Sequence, residues 1–284
     1  MANFIKRWNE MPPMKNKRYM STAVLDNDDN MWVLGGTANS KPSDSTEVFF
    51  YRPSPRNSRW RRGRPLPADL RDSGLQSHCA VRLNRTHIFI GGGFANAYRQ
   101  EDPLQEHFFD NGGFENTTPA GGVNPRINRR KRQEDIGGGI SLKRAWLFDG
   151  YYWNELPDMS QVRDRPACSL VNMPDGSVRV LVAGGCNGWC VRNPPLSSAE
   201  MYNPETEAWT QVADLPVPLS SAKMDELDGV PTIVGGYDGS KQNDVLYQYK
   251  AESNKWVAHP DVKLRIARSS AAVFQVPRTL FEFC

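Results

Sequence analysis

Residues 231–261 read PTIVGGYDGSKQNDVLYQYKAESNKWVAHPD. A short apolar run ends in Gly235-Gly236, and a polar turn follows. Next comes the alternating run Asp244-Val245-Leu246-Tyr247-Gln248-Tyr249, then a second turn and Trp256. Alternation at period two predicts strands that each bury a face. The glycine pair ends the first strand, where a residue without Cβ allows close backbone approach or positive φ.

The pattern recurs. Val33-Leu34-Gly35-Gly36 precedes Val48-Phe49-Phe50-Tyr51 and Trp60. Phe89-Ile90-Gly91-Gly92 leads, after a long interruption, to Ala145-Trp146-Leu147-Phe148 and Trp153. Val182-Ala183-Gly184-Gly185 leads to Glu200-Met201-Tyr202 and Trp209. The last two glycine pairs lie 51 residues apart, and Gly36 stands as far from Trp60 as Gly185 does from Trp209. A diglycine and a tryptophan in phase at this period resemble the kelch repeat, whose units are four-stranded blades of a β-propeller. The expected fold is an all-β kelch-type propeller, a single domain over residues 1–284.

Five tryptophans in phase (Trp8, Trp60, Trp153, Trp209 and Trp256) count five blades, or six if the last blades are irregular. Five innermost strands rich in small residues agree: Ser21-Thr22-Ala23, Cys79-Ala80, Cys168-Ser169, Ser220-Ser221-Ala222 and Ser269-Ser270-Ala271-Ala272. Trp8 precedes any glycine pair, so residues 4–9 read as an outermost strand returned to the last blade, closing the ring without an open edge. Residues 269–274 and 279–283 would supply that blade's first two strands. Residues 94–140, poor in aliphatics, read as a flexible loop inserted in blade 2. Their run Asn128-Arg129-Arg130-Lys131-Arg132-Gln133 reads as a solvated basic stretch, with a nuclear-import patch or a docking site for an acidic partner as the alternatives.

Composition narrows the class. No apolar run approaches the ~18 residues that span a bilayer, and the N-terminus lacks a signal-peptide core. A net charge of +3 is too small to imply nucleic acid. Five cysteines leave one unpaired, which suits a reducing compartment, hence a cytoplasmic and optionally nuclear setting. On that basis Cys186 and Cys190 read as two loop thiols, with a small disulfide-closed loop as the alternative, and Cys79 and Cys168 as small core residues.

In four-stranded blades the connections leaving the second and fourth strands share one face. Here they are 37–44, 63–74, 94–140, 157–165, 186–196, 216–219, 237–243 and 259–268. Functional residues concentrate on loops held by a rigid scaffold. Arginines recur there: Arg71, Arg163, Arg165, Arg192, Arg265 and Arg268. Their forks suit carboxylates or phosphates. Trp189 and Tyr237 add aromatic anchors of the kind enriched in binding hot spots. The candidate partner-binding set is therefore Arg71, Arg163, Arg165, Trp189, Arg192, Tyr237, Arg265 and Arg268. No catalytic constellation, metal site or cofactor motif is found: the four histidines fall in separate blades, and no GxSxG, HExxH or phosphate-cradling loop occurs.

The run Gly235-Gly236-Tyr237-Asp238-Gly239 through Trp256 resembles the kelch half of BTB–kelch proteins, the substrate-binding subunits of cullin-3 ubiquitin ligases. The resemblance implies a propeller whose loop face grips a segment of another protein. It also implies indirect contact with cullin-3 and BTB machinery, although repeats begin almost at residue 8 and leave no room for BTB or BACK regions. The expected function is non-enzymatic protein binding, of an acidic segment, as a substrate receptor or adaptor in ubiquitin-ligase assembly. A small-molecule enzyme of sugar-oxidase or sialic-acid-epimerase type is the alternative on this scaffold.

Overall fold

The computed structural model describes residues 12–26, 28, 30–38, 41–42, 45–50, 58–96 and 139–273. These form four complete four-stranded antiparallel sheets, one for each glycine pair. Blade 1 holds β1 (Thr22–Leu25), β2 (Met31–Leu34), β5 (Ser45–Phe50) and β6 (Arg59–Pro65). A small hairpin of β3 (Thr37–Ala38) and β4 (Lys41–Pro42) extends its second connection. Blade 2 holds β7 (Cys79–Arg82), β8 (Ile88–Gly91), β11 (Ala145–Phe148) and β12 (Trp153–Glu155). Blade 3 consists of β13 (Ala167–Asn172), β14 (Val178–Ala183), β15 (Ala199–Asn203) and β16 (Ala208–Val212). Blade 4 consists of β17 (Lys223–Leu227), β18 (Val230–Val234), β19 (Val245–Lys250) and β20 (Lys255–Lys263). The all-β architecture is that expected of a kelch β-propeller.

Side-chain alternation explains the stacking. On β8, Ile88 and Ile90 point into the core shared with blade 1, and Phe89 points into the core shared with blade 3. On β14, Val180 and Val182 face blade 2, whereas Leu181 faces blade 4. Both faces of these two strands are buried, so Ile88-Phe89-Ile90 and Val180-Leu181-Val182-Ala183 read as apolar runs rather than alternating ones. Three clusters, one between each consecutive pair of blades, make up the core.

Two repeated devices set the geometry. Each outermost-strand tryptophan packs on the aromatic residue directly opposite it: Phe49–Trp60, Phe148–Trp153, Tyr202–Trp209 and Tyr249–Trp256, with ring centroids 4.5–5.2 Å apart. Each indole also reaches the preceding blade. Trp153 donates to the Pro65 carbonyl, Trp209 to Pro157 and Trp256 to Ala213, at 2.8–2.9 Å.

The glycine pairs turn the chain over the next blade. The second glycine of each pair donates its N–H to a carbonyl that leads into the neighbouring inner strand: Gly36 to Leu75, Gly93 to Arg163, Gly185 to Leu219 and Gly236 to Arg268. The preceding glycine has positive φ, and a Cβ on Gly92 would lie only 2.5 Å from the Arg163 carbonyl oxygen. This identifies the functional pair in blade 2 as Gly92-Gly93, not Gly91-Gly92; Gly91 is the last residue of β8. A triple glycine hides that register, because each adjacent pair within it looks alike.

A third device counts repeats. Met20, Ser77, Arg165, Ser221 and Ser270 all adopt φ of 54–57°. Backbone bonds link them in series: Ser77 N–H to Met20, Arg165 to Ser77, Ser221 to Arg165 and Ser270 to Ser221. Ser270 thus repeats the turn that precedes the inner strand of each of the four blades.

Several expectations need correction. The inner strand of blade 4 is Lys223–Leu227, not the small residues 220–222, which form the lead-in to it. Residues 269–273 carry no strand; the segment 279–283 expected to pair with them lies outside the described residues. So does the returned strand at 4–9. The insertion in blade 2 is narrower than 94–140, because β9 (Phe94–Ala95) pairs with β10 (Ile140–Ser141) at its base. Residues 97–138, including the basic run, lie outside the described residues. The thiol reading is overturned: Cys79 bonds to Cys168 and Cys186 to Cys190, with Cα separations of 5.8 and 5.2 Å. Sequence separation concealed the first pair, whose members lie on neighbouring inner strands; Cys284 is outside the described residues.

Candidate functional site: a loop-face pocket

Each inner strand is preceded by a two-residue lead-in that bridges to the segment after its own blade's glycine pair. The bridges are Tyr19 to Thr37, Gln76 to Phe94, Asp164 to Cys186 and Ser220 to Tyr237. Repetition therefore brings Tyr19-Met20, Gln76-Ser77 and Asp164-Arg165 to equivalent places on one face. Where the first three meet, a cavity of about 220 Å³ opens, lined by Tyr19, Gln76, Phe94, Asp164, Arg165 and Trp189 among others.

Trp189 is positioned by its loop. The Cys186–Cys190 disulfide closes the turn, Gly188 takes positive φ, and Arg192 and Asn193 donate their N–H groups to the Trp189 carbonyl. The Asn193 side chain bonds the same oxygen. Phe94 lies 6.4 Å from the indole, and the Arg192 guanidinium sits over it at 5.5 Å.

Asp164 is 1% exposed. Its Oδ2 accepts the Cys190 N–H at 3.2 Å, and Arg165 Nε lies 3.8 Å away. Its Oδ1 has no hydrogen-bond partner. Burial pushes this carboxyl up from the ordinary aspartate range, with the Cys190 N–H and Arg165 opposing. Beside it, Gln76 donates its side-chain amide to Asn96 at 3.0 Å.

The structure distributes the expected residues unevenly. Arg165, Trp189 and Arg192 come together at the pocket. Tyr237 is exposed on blade 4, its hydroxyl donating to the Gly239 carbonyl. Arg265 and Arg268 are exposed beyond β20, and Arg268 Nε donates to the Ile266 carbonyl. Arg71 is exposed on the connection after β6, its Nε bonded to the Leu66 carbonyl.

Arg163 is elsewhere altogether. It is completely buried, ion-paired to Glu200 at 2.9 Å, with NH1 donating to the Gly184 and Ser198 carbonyls. Arg18 does the same in blade 1, pairing with buried Glu47 at 2.6 Å and donating to Gly35. The two pairs occupy equivalent positions and lock the third strand to the lead-in of the first. An arginine two residues before a positive-φ turn residue, matched by a glutamate in the third strand, is the sequence signal for this role.

Sequence reasoning missed Tyr19, Gln76, Phe94 and Asp164. Their common phase relative to the glycine pairs was the available signal. A second cavity of about 200 Å³ lies at the opposite strand ends, where Trp32, Arg82, His87 and Asp149 mix charges of both signs. Among the described residues no three His, Cys, Asp or Glu side chains lie close enough to hold a metal ion, and no helix is long and apolar enough to cross a membrane.

The Kelch motif family profile matches residues 179–216, from within β14 to just past β16. Kelch-like protein 21 of Danio rerio is 29% identical over 136 residues, 47% of this chain and 21% of that protein. The spermatocyte protein spe-26 of Caenorhabditis elegans is 27% identical over 130 residues, 46% of this chain and 21% of that protein. Beta-scruin of Limulus polyphemus is 26% identical over 131 residues, 44% of this chain and 13% of the relative. The chain thus carries a kelch motif and spans about a fifth or less of the length of these relatives.

Proposed function

We propose that this chain is a non-enzymatic protein-interaction module that holds a segment of a partner protein on its loop face. The observation that carries the reading is Trp189. It is a half-buried tryptophan, fixed by a disulfide-closed turn, beside Arg165 at the junction of three blades. A rigid aromatic next to an arginine is the composition of an interface hot spot, and holding it before binding lowers the ordering cost.

The face around the pocket is amphipathic. Tyr19, Met20, Val191, Tyr237 and Ile266 expose apolar surface on these connections, and Arg71, Arg192, Arg265 and Arg268 are exposed on them as well. The proposed ligand is therefore an acidic or phosphorylated segment, steered by the arginines and anchored by the aromatics. The similarity to Kelch-like protein 21 favours a receptor or adaptor role, with ubiquitin-ligase assembly and indirect contact with cullin-3 and BTB proteins as the proposed setting.

Affinity capture from cell extract, compared between the wild-type chain and an Arg165→Ala/Trp189→Ala variant of unchanged melting temperature, tests this. Partners retained by the wild type, lost by the variant and released as salt rises are expected. Identical partner sets would overturn the reading.

A further inference from the structure

Resting on that reading, we infer that the pocket between Tyr19, Phe94, Trp189 and Asp164 accepts one aromatic side chain of the partner that carries a hydrogen-bond donor, a tyrosine in the first place. The walls supply ring faces and edges, and the cavity of about 220 Å³ has room for a phenol. Buried polar atoms are almost always paired, and a buried acceptor left without a donor is costly. Asp164 Oδ1 is such an acceptor, shut off from solvent on a residue that lines this pocket. A phenol hydroxyl, entering with its ring against Trp189 and Phe94, would take that oxygen as its acceptor once the carboxylate turns toward the cavity.

The surroundings restrict the ligand further. Arg165 lies against the same carboxylate, so an inserted lysine or arginine would meet a like charge. An inserted aspartate or glutamate would face Asp164 itself. A neutral donor on an aromatic ring satisfies both, while acidic residues flanking it reach Arg192 and the outer arginines. The pocket thus selects the anchor, and the rim selects its neighbours.

Selection of a phage-displayed random peptide library on the folded chain provides the probes. The expected result is enrichment of sequences with one fixed tyrosine among acidic residues. Fluorescence anisotropy of the best peptide should then show binding weakened about tenfold or more when its tyrosine becomes phenylalanine. The conservative variant Asp164→Asn should reduce that tyrosine-over-phenylalanine preference several-fold while keeping the melting temperature and residual peptide binding. Peptides that bind in a Trp189-dependent way but lack an aromatic anchor, or bind equally with tyrosine and phenylalanine, would overturn this inference and leave the loop-face reading standing. Recovery of no peptide that depends on Trp189 or Arg165 would overturn both.

Discussion

The Trp60 indole donates its Nε1–H to the Pro12 carbonyl oxygen at 2.7 Å, the bond that Trp209 makes to Pro157 and Trp153 makes to Pro65. In those later repeats the acceptor lies at or just past the end of the preceding blade's outermost strand. Pro12 stands in the same relation to blade 1. Removing residues 1–12 should therefore lower the melting temperature by several degrees. Trp60→Phe, which deletes the donor and part of the ring packed on Phe49, should cost about 2 kcal/mol. The two losses should add incompletely, since they share one bond. Additive losses, or a truncated chain that melts like the intact one, would refute the equivalence.

The buried ion pairs predict a different outcome from the surface arginines. Arg163→Met leaves Glu200 charged in the core and should destabilise by about 3–5 kcal/mol, whereas Arg163→Met/Glu200→Met should cost less than that single change. Urea unfolding measures both. A surface role for Arg163 would instead leave stability unchanged and weaken partner binding.

Much of this was written in the period of the chain. Glycine pairs and tryptophans are forced by geometry at each repeat, since a Cβ would strike the next blade's backbone and an indole must bridge to the last one. They are therefore legible without coordinates. The arginines were not separable in that way. Arg163 and Arg165 stand two residues apart, yet one is locked against Glu200 and the other lines the pocket, because the positive φ at Arg165 turns the chain between them. Asp164 was invisible for the complementary reason: its importance lies in a partner it lacks.

Cysteine pairing is directly countable. Alkylation of the denatured, unreduced chain should label Cys284 alone among the five cysteines, and all five after reduction. Cys186→Ser/Cys190→Ser should weaken peptide binding by loosening Trp189, with smaller effect on unfolding than Cys79→Ser/Cys168→Ser, whose bond links two blades. Five labelled thiols before reduction would refute both bridges.

His78 sets the pH response. It is fully buried with neither ring nitrogen bonded, and burial, aided by Lys223, holds it at about 3. The unfolded chain therefore takes up a proton near the ordinary value of 6.5 while the folded one does not. Stability from this group is complete above that value and declines as pH falls toward 3, on the order of a few kcal/mol in full. Asp164 and Glu226, raised by burial, oppose it by favouring the folded state as pH falls. The urea midpoint should thus drop between pH 7.5 and 5 in the wild type and drop less in His78→Gln. Equal slopes in the two would assign the effect elsewhere.

Hydrogen exchange of the chain with and without the best selected peptide tests the loop-face claim most directly. Slowed exchange is predicted in residues 19–20, 76–77, 163–166 and 186–193, which surround the pocket, with the hairpins at 83–87 and 149–152 on the opposite face unaffected. Protection confined to those opposite hairpins would contradict the claim.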